Sequence, residues 1–117
     1  MDDIRDSCLT PFDNPLVPEP LELLGDLVLV HLYHMHDSDW FGDYHESAVQ
    51  IPVRLRGTAI TGAYSPYLYL GSAGAVAVGR EVYGQPKKDG RPRLEVRDDL
   101  WVGTVERNGI DVITATL

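Results

Sequence analysis

The chain has 117 residues, of which 44% are hydrophobic, so it forms at most one domain with a modest core. The formal net charge of −8 argues against nucleic acid and membranes as partners, and an acidic substrate would need a local cluster of Lys and Arg. No apolar run reaches the ~18 residues of a transmembrane helix. The first residues lack a secretory signal and Cys8 is the single cysteine, so we expect a cytoplasmic protein without disulfides.

The N-terminal third begins with an arm and continues into strands. Residues 1–20 are rich in proline and aspartate without an apolar period, which predicts an irregular arm, followed by a β domain over residues 21–117. Residues 27–33 are branched and aromatic and predict a buried strand. Residues 38–43 predict a turn.

The central part alternates between strand and helix patterns. Residues 47–56 have apolar side chains at every second position, and Pro52, which lacks an N–H, favours an edge or bulged position for this strand. Residues 63–70 predict a further strand with three tyrosines, which we interpret as packing or interface residues. Ser72 is a suitable N-cap for a short helix within residues 72–83.

The C-terminal part predicts three strands, at residues 94–97, 101–106 and 110–116. The last two are joined by Arg107-Asn108-Gly109, a hairpin turn in which Asn-Gly tolerates positive φ. The fold class is therefore mainly β with a short helix (α+β) and antiparallel pairing. The final strand runs to the last residue without a stop signal, so we expect a domain that is incomplete at its C-terminus or is completed by another chain.

The decapeptide GREVYGQPKK at residues 79–88 carries the most specific chemistry. Two neighbouring ammonium groups repel each other, and in a dry site one of them can become a neutral, nucleophilic amine. Such an amine attacks a ketone to form an imine. The alternative is that Lys87 and Lys88, followed by Asp89-Gly90, form a solvated turn.

The decapeptide closely resembles the lysine motif of the acetoacetate decarboxylase family, which is itself the standard example of this kind of lysine activation. The resemblance covers roughly residues 18–117 and extends to both sides of the lysines, in the family's order. The other segments that carry it are residues 38–46, 50–53, 62–69, 94–96, 103–105 and 115–117. It implies a partial acetoacetate decarboxylase-like β-barrel or cone.

The resemblance also implies roles for individual residues. Lys87 would form the imine, Lys88 would help to keep it unprotonated, and Glu46 would face the substrate as an acidic group. Substrate-binding positions in and beside the motif would be Arg80, Glu81, Tyr83 and Gln85. The implied reaction is decarboxylation of a β-keto acid such as acetoacetate, without a cofactor.

Two departures from the family leave alternatives open. Gln85 stands where decarboxylases often have an apolar or aromatic residue, which favours a pyruvate-type aldolase or dehydratase that uses the same lysine. Family members are about twice as long as this chain. The chain would then be a fragment, an inactive relative, a subunit of a homo-oligomer, or a subunit of a hetero-oligomer in which another chain supplies the missing C-terminal half. A chain completed by a partner in this way could also be a non-catalytic subunit or binding module.

The densest group of potential metal ligands lies in residues 31–45, with four histidines and three aspartates. His34 and His36 share one face of a strand and form a pair that can bind zinc or iron. The spacing defines no third ligand, so we expect polar strand and turn residues here and no metal. By alternation, His45 should point away from Glu46.

Overall fold

The computed structural model describes residues 20–117, so the predicted N-terminal arm lies outside the described residues except for Pro20, which is in a turn. No helix in this part of the chain is long and apolar enough to cross a membrane. The elements in chain order are β1 (Leu21–Leu23), β2 (Leu29–Ser38), β3 (Gly42–Leu55), β4 (Thr61–Leu70), α1 (Ala73–Glu81), β5 (Lys87–Asp89), β6 (Arg91–Arg97), β7 (Leu100–Arg107) and β8 (Ile110–Thr116).

The strands form two sheets. A five-stranded sheet has the order β1-β3-β4-β5 with β2 also paired to β3, and a three-stranded sheet has the order β6-β7-β8. Over residues 20–117 the mainly β class with one short helix is confirmed. The expectation that Pro52 marks an edge strand is wrong, because β3 pairs with three other strands. The Pro52 carbonyl still accepts a hydrogen bond from the Leu24 N–H at 3.1 Å, so the missing donor does not prevent pairing.

The chain divides into two compact units, and the first comprises Met1–Val30, described from residue 20, and Val49–Pro66. Here β1 pairs antiparallel with the end of β3, from Leu21 opposite Leu55 to Leu23 opposite Val53. Val49, Ile51 and Val53 are buried, as their period of two predicts.

The second unit comprises His31–Ala48 and Tyr67–Leu117. Its helix α1 begins where the sequence predicts, because the Ser72 side chain accepts a hydrogen bond from the Ala75 N–H at 3.3 Å. The helix connects β4 to β5, which pair in parallel from Leu68 opposite Lys87 to Leu70 opposite Asp89. This pairing departs from the antiparallel expectation, and its physical reason is the helical crossover, which returns the chain in the same direction.

The three-stranded sheet of the second unit is an antiparallel meander. The β7–β8 turn is the predicted hairpin, with φ of 54° at Asn108 and 78° at Gly109. One face of this sheet is apolar. It is buried at Pro92, Gly103 and Val105, but Leu94, Val96 and Trp101, further along the same face, are about half exposed.

Candidate functional site

The Lys87 side chain lies against the last turns of α1. A Cβ atom added at Gly79 would overlap Lys87 Cδ and lie 2.8 Å from Lys87 Cε, so only glycine leaves room for the lysine side chain in this position. The Gly79 carbonyl accepts a hydrogen bond from the Gln85 N–H at 2.9 Å. Between Gly79 and Gln85 the chain turns at Gly84, whose φ of 64° favours glycine. The loop between Gly79 and Lys87 therefore leads the chain from α1 into β5 and places the Lys87 side chain against Gly79.

Lys87 is paired with Glu46, which lies 41 residues earlier in the chain. Lys87 Nζ donates a hydrogen bond to Glu46 Oε2 at 3.0 Å. The two side chains are only 12% and 13% exposed, so the pair is largely shielded from water and weakly screened. The solvated-turn alternative for the lysine pair is therefore wrong for Lys87, which lies on strand β5.

A cavity of about 220 Å³ opens beside this pair. Its wall consists of Phe41, Tyr44, Ala75, Val78, Gly79, Tyr83, Gln85 and Lys87. The volume is below the ~300–1,000 Å³ of sites for drug-sized ligands, so the cavity suits a small molecule. It combines an apolar helix face with one amine and one amide.

The Arg80 side chain contacts the backbone of Lys87. Its Nη1 donates a hydrogen bond to the Lys87 carbonyl at 3.3 Å. This contact ties the end of α1 to the strand that carries the lysine, although the Arg80 side chain itself is exposed.

Lys88 and Glu81 lie apart from the cavity. Neighbouring residues of a strand point to opposite faces, and Lys88 Nζ lies 5.9 Å from the centre of the Tyr67 ring, on the face opposite to Lys87. Glu81 is exposed at the end of α1 and does not belong to the cavity wall. Of the seven site residues predicted from sequence, the structure brings together Glu46, Tyr83, Gln85 and Lys87, with Arg80 behind them.

The sequence reasoning missed the apolar wall. Val78 and Gly79 follow Ala75 by three and four residues, which places all three on one face of the helix. The predicted helix therefore already implies that these residues lie together. Tyr44 precedes Glu46 by two residues and so shares its face of β3. Phe41 has no sequence signal. It packs against Gly74, where a Cβ atom would lie 2.9 Å from Phe41 Cδ1.

The arrangement can perform amine chemistry with proton transfer. A lysine amine in a largely buried site can attack a carbonyl, and a carboxylate at 3.0 Å can exchange a proton with it. The apolar wall reduces the local dielectric around both groups.

The comparisons with known proteins agree on one family. The family model for acetoacetate decarboxylase matches residues 14–117. The chain is 46% identical over 102 residues to the acetoacetate decarboxylase of Acidiphilium cryptum, a match that covers 87% of this chain and 41% of that protein. It is 43% identical over 102 residues to the acetoacetate decarboxylase of Clostridium acetobutylicum, again with 87% and 41% coverage.

The solved structures give the same result. The crystal structure of acetoacetate decarboxylase from Legionella pneumophila superimposes with a TM-score of 0.77 at 32% sequence identity, covering 97% of this chain and 42% of that chain. Another acetoacetate decarboxylase structure has a TM-score of 0.77 at 40% identity. The chain thus spans about two fifths of the length of these relatives. On the match of the family model to residues 14–117, the chain belongs to the acetoacetate decarboxylase family.

Proposed function

We propose that this chain carries the imine-forming site of a decarboxylase that acts on a small β-keto acid of the acetoacetate type, with Lys87 as the nucleophile. The observation that carries the proposal is the shielded Lys87–Glu46 pair beside a cavity of about 220 Å³. Membership of a family whose curated relatives are named acetoacetate decarboxylase supports the substrate class.

The first step is formation of the imine. Attack on a ketone requires the neutral amine, so the Lys87 ammonium must first give up a proton. Glu46 Oε2, 3.0 Å from Lys87 Nζ, is placed to accept that proton. The neutral nitrogen then adds to the substrate ketone, water leaves, and a protonated imine remains on Lys87.

The second step is loss of carbon dioxide. The bond between the substrate's α-carbon and its carboxylate breaks, and the electron pair moves to the positively charged imine nitrogen to give an enamine. A proton returns to the enamine carbon, and we assign this role to Glu46, whose Oε2 lies 3.0 Å from Lys87 Nζ. Addition of water to the imine then releases the ketone and restores Lys87.

The remaining site residues act around these steps. Arg80 holds the Lys87 carbonyl and so fixes the direction of the nucleophile, whereas Tyr83 and Gln85 line the cavity and contact the substrate. Glu81 lies outside the cavity wall, so we assign it no contact with the substrate. Lys88 contributes a positive charge from the opposite face of β5, where its Nζ lies near the Tyr67 ring.

A second candidate reaction is favoured by Gln85. Its amide lines the cavity and can donate a hydrogen bond to a substrate oxygen, as a pyruvate-type substrate for aldol addition or dehydration would offer. The same Lys87 would form the imine in this reaction.

We also infer that activity requires a further protein segment that covers an exposed apolar face of this chain. Leu94, Val96 and Trp101 expose an apolar sheet face, and the relatives are more than twice the length of the matched region. We assign the cover of this face to a segment equivalent to the remaining part of the relatives, supplied in the same chain or by a different chain in a hetero-oligomer. Size-exclusion chromatography of the chain with and without a co-expressed segment tests this assignment, and unchanged elution would contradict it.

Borohydride trapping tests the nucleophile. The protein, alone and with the co-expressed segment, is incubated with acetoacetate, reduced with sodium borohydride and mapped by peptide mass spectrometry. We expect a single adduct at Lys87, because reduction fixes the imine as a stable secondary amine. Lys87→Arg keeps the positive charge but should abolish the adduct, and Lys88→Arg should retain it.

Each outcome decides between the candidates. Labelling of Lys87 by acetoacetate, with release of carbon dioxide, supports decarboxylation. Labelling by pyruvate but not by acetoacetate supports the aldolase or dehydratase. An adduct that persists in Lys87→Arg would overturn the assignment of Lys87, because another amine would then form the imine. No adduct with either acid when the segment is present would also overturn it and would favour a non-catalytic subunit.

A further inference from the structure

The β2–β3 hairpin gathers three imidazoles and a carboxylate on one exposed face. His34 and His36 are two residues apart on β2, so their side chains lie on the same face of the strand. The same holds for Asp43 and His45 on β3. The His34 ring centre lies 3.6 Å from that of His36 and 4.3 Å from that of His45. His45 thus points away from Glu46, as alternation predicts, and the cluster occupies the face of β3 opposite to the Lys87 site.

From this cluster we propose that His34, His36 and Asp43 bind a zinc-class transition-metal ion. One ligand atom of each residue lies within 4.8 Å of the others. Asp43 Oδ2 is 3.8 Å from His34 Nε2 and 4.0 Å from His36 Nδ1. Ligands bound tetrahedrally to zinc at about 2.1 Å are about 3.4 Å apart. The two histidine nitrogens therefore need to approach Asp43 Oδ2 by only about half an ångström.

The carboxylate is already oriented toward the imidazoles. Asp43 Oδ1 accepts a hydrogen bond from the Asp37 N–H at 2.8 Å, which leaves Oδ2 facing the two histidines. The N–H donor belongs to Asp37, the second-to-last residue of β2, where the backbone φ is 47°. A metal-binding carboxylate held by a second hydrogen bond is the usual arrangement in protein metal sites.

The chemistry of the ligands selects the class of ion. Two imidazole nitrogens and one carboxylate oxygen suit Zn²⁺ and its neighbours in the first transition row, whereas Mg²⁺ and Ca²⁺ prefer oxygen ligands alone. Three protein ligands leave a fourth position for water. The side chains are 40%, 66% and 57% exposed, so the ion can enter from solvent and exchange. The sequence pattern identifies His34 and His36 as a possible ligand pair. The third ligand, Asp43, becomes apparent only from the hairpin in the structure.

Isothermal titration of tag-free protein with ZnCl₂ tests the site, and CoCl₂ provides a visible absorption spectrum of the bound ion. We expect one equivalent of Zn²⁺, no binding of MgCl₂, and a Co²⁺ spectrum of nitrogen and oxygen ligands. His34→Ala, His36→Ala and Asp43→Asn should each weaken Zn²⁺ binding by about tenfold or more. Asp39→Asn, an exposed carboxylate in the same turn, is the matched control and should change affinity less than about twofold.

Three results would overturn the proposal. The first is no heat and no spectral change at millimolar Zn²⁺ and Co²⁺. The second is binding that Asp43→Asn and His34→Ala leave intact. The third is a thiolate charge-transfer band that Cys8→Ser removes, because the ion would then be held by the single cysteine. Circular dichroism of each variant confirms that the exposed substitutions leave the fold unchanged, and none of these readouts depends on decarboxylase activity.

Discussion

The two faces of residues 42–48 of β3 carry different chemistry in different surroundings. On one face, Glu46 is 13% exposed and pairs with Lys87, a residue from a distant part of the chain. On the other face, Asp43 is 57% exposed and faces His34 and His36, which belong to the adjacent strand of the same hairpin. Alternation along a single strand separates the two groups.

The difference shows how far each group depends on the rest of the fold. The Glu46 face needs α1, the turn at Gly84 and β5 before its partner is in place. The histidine face needs only the hairpin. Substitutions on the Glu46 face should therefore affect function strongly, and substitutions on the histidine face should have little effect on stability.

The largest effect is expected for Glu46→Gln. The amide retains the size of the side chain but cannot accept the Lys87 proton, so the rate of imine formation with acetoacetate should fall about 100-fold or more. Rapid-quench borohydride trapping measures this rate. Glu22→Gln is the matched control, because it breaks a partly exposed pair with Arg54 at 3.5 Å in the other compact unit. A rate for Glu46→Gln within threefold (about 0.7 kcal/mol) of the unaltered protein would contradict the role of Glu46.

A smaller effect on function is expected for Gly79→Ala. The new methyl group would occupy the place of Lys87 Cδ and Cε and displace the nucleophile, which should slow trapping about 10- to 100-fold. The flexible lysine can move aside, and alanine favours the helix by about 0.5–1 kcal/mol, so stability to urea should be maintained or increased. Gly62→Ala, where a Cβ atom meets nothing within 4 Å, is the control. Unchanged trapping in Gly79→Ala would mean that the position of Lys87 is not critical.

Ser72→Ala should reduce stability by a moderate amount. It removes the acceptor for the Ala75 N–H at the start of α1, which should lower the free energy of unfolding by about 1 kcal/mol. Urea denaturation followed by circular dichroism measures the change. Ser72→Thr retains a capping hydroxyl and should recover most of the loss, and equal losses in both variants would contradict the capping role.

The smallest effect is expected for His36→Ala in buffer that contains EDTA. The side chain is 66% exposed and its contacts are local, so the free energy of unfolding should change by less than about 0.5 kcal/mol. Urea denaturation measures this change also. A loss above 1 kcal/mol (about a fivefold change in the folding equilibrium) would show that the imidazole cluster stabilises the hairpin without a metal ion.

Local sequence signals predicted most of the strands and the helix. Ser72 marks the helix start, Asn108-Gly109 forms the β7–β8 turn, and the alternate residues Val49, Ile51 and Val53 are buried as expected. These features depend on residues close together in the chain, through capping, positive φ and period-two burial. Sequence patterns report such interactions directly.

Features that depend on distant residues were missed or predicted wrongly. Lys87–Asp89 has no strand-forming composition, and it is a strand because β4 offers it a parallel partner. Pro52 suggested an edge, yet β3 is paired with three strands. Asp43 could not be recognised as a partner of His34 and His36, because the turn that brings them together sets the distance.

The amino-acid sequence by itself determined the family motif, the nucleophile candidate and the local elements, because these follow from residue types and short spacings. Only the tertiary structure decided that Glu46 lies 3.0 Å from Lys87 and that Lys88 points to the opposite face. Likewise, only the paired hairpin brought Asp43 to two histidines. The physical reason is that strand pairing and helix packing join residues far apart in the chain, and no local spacing encodes those distances.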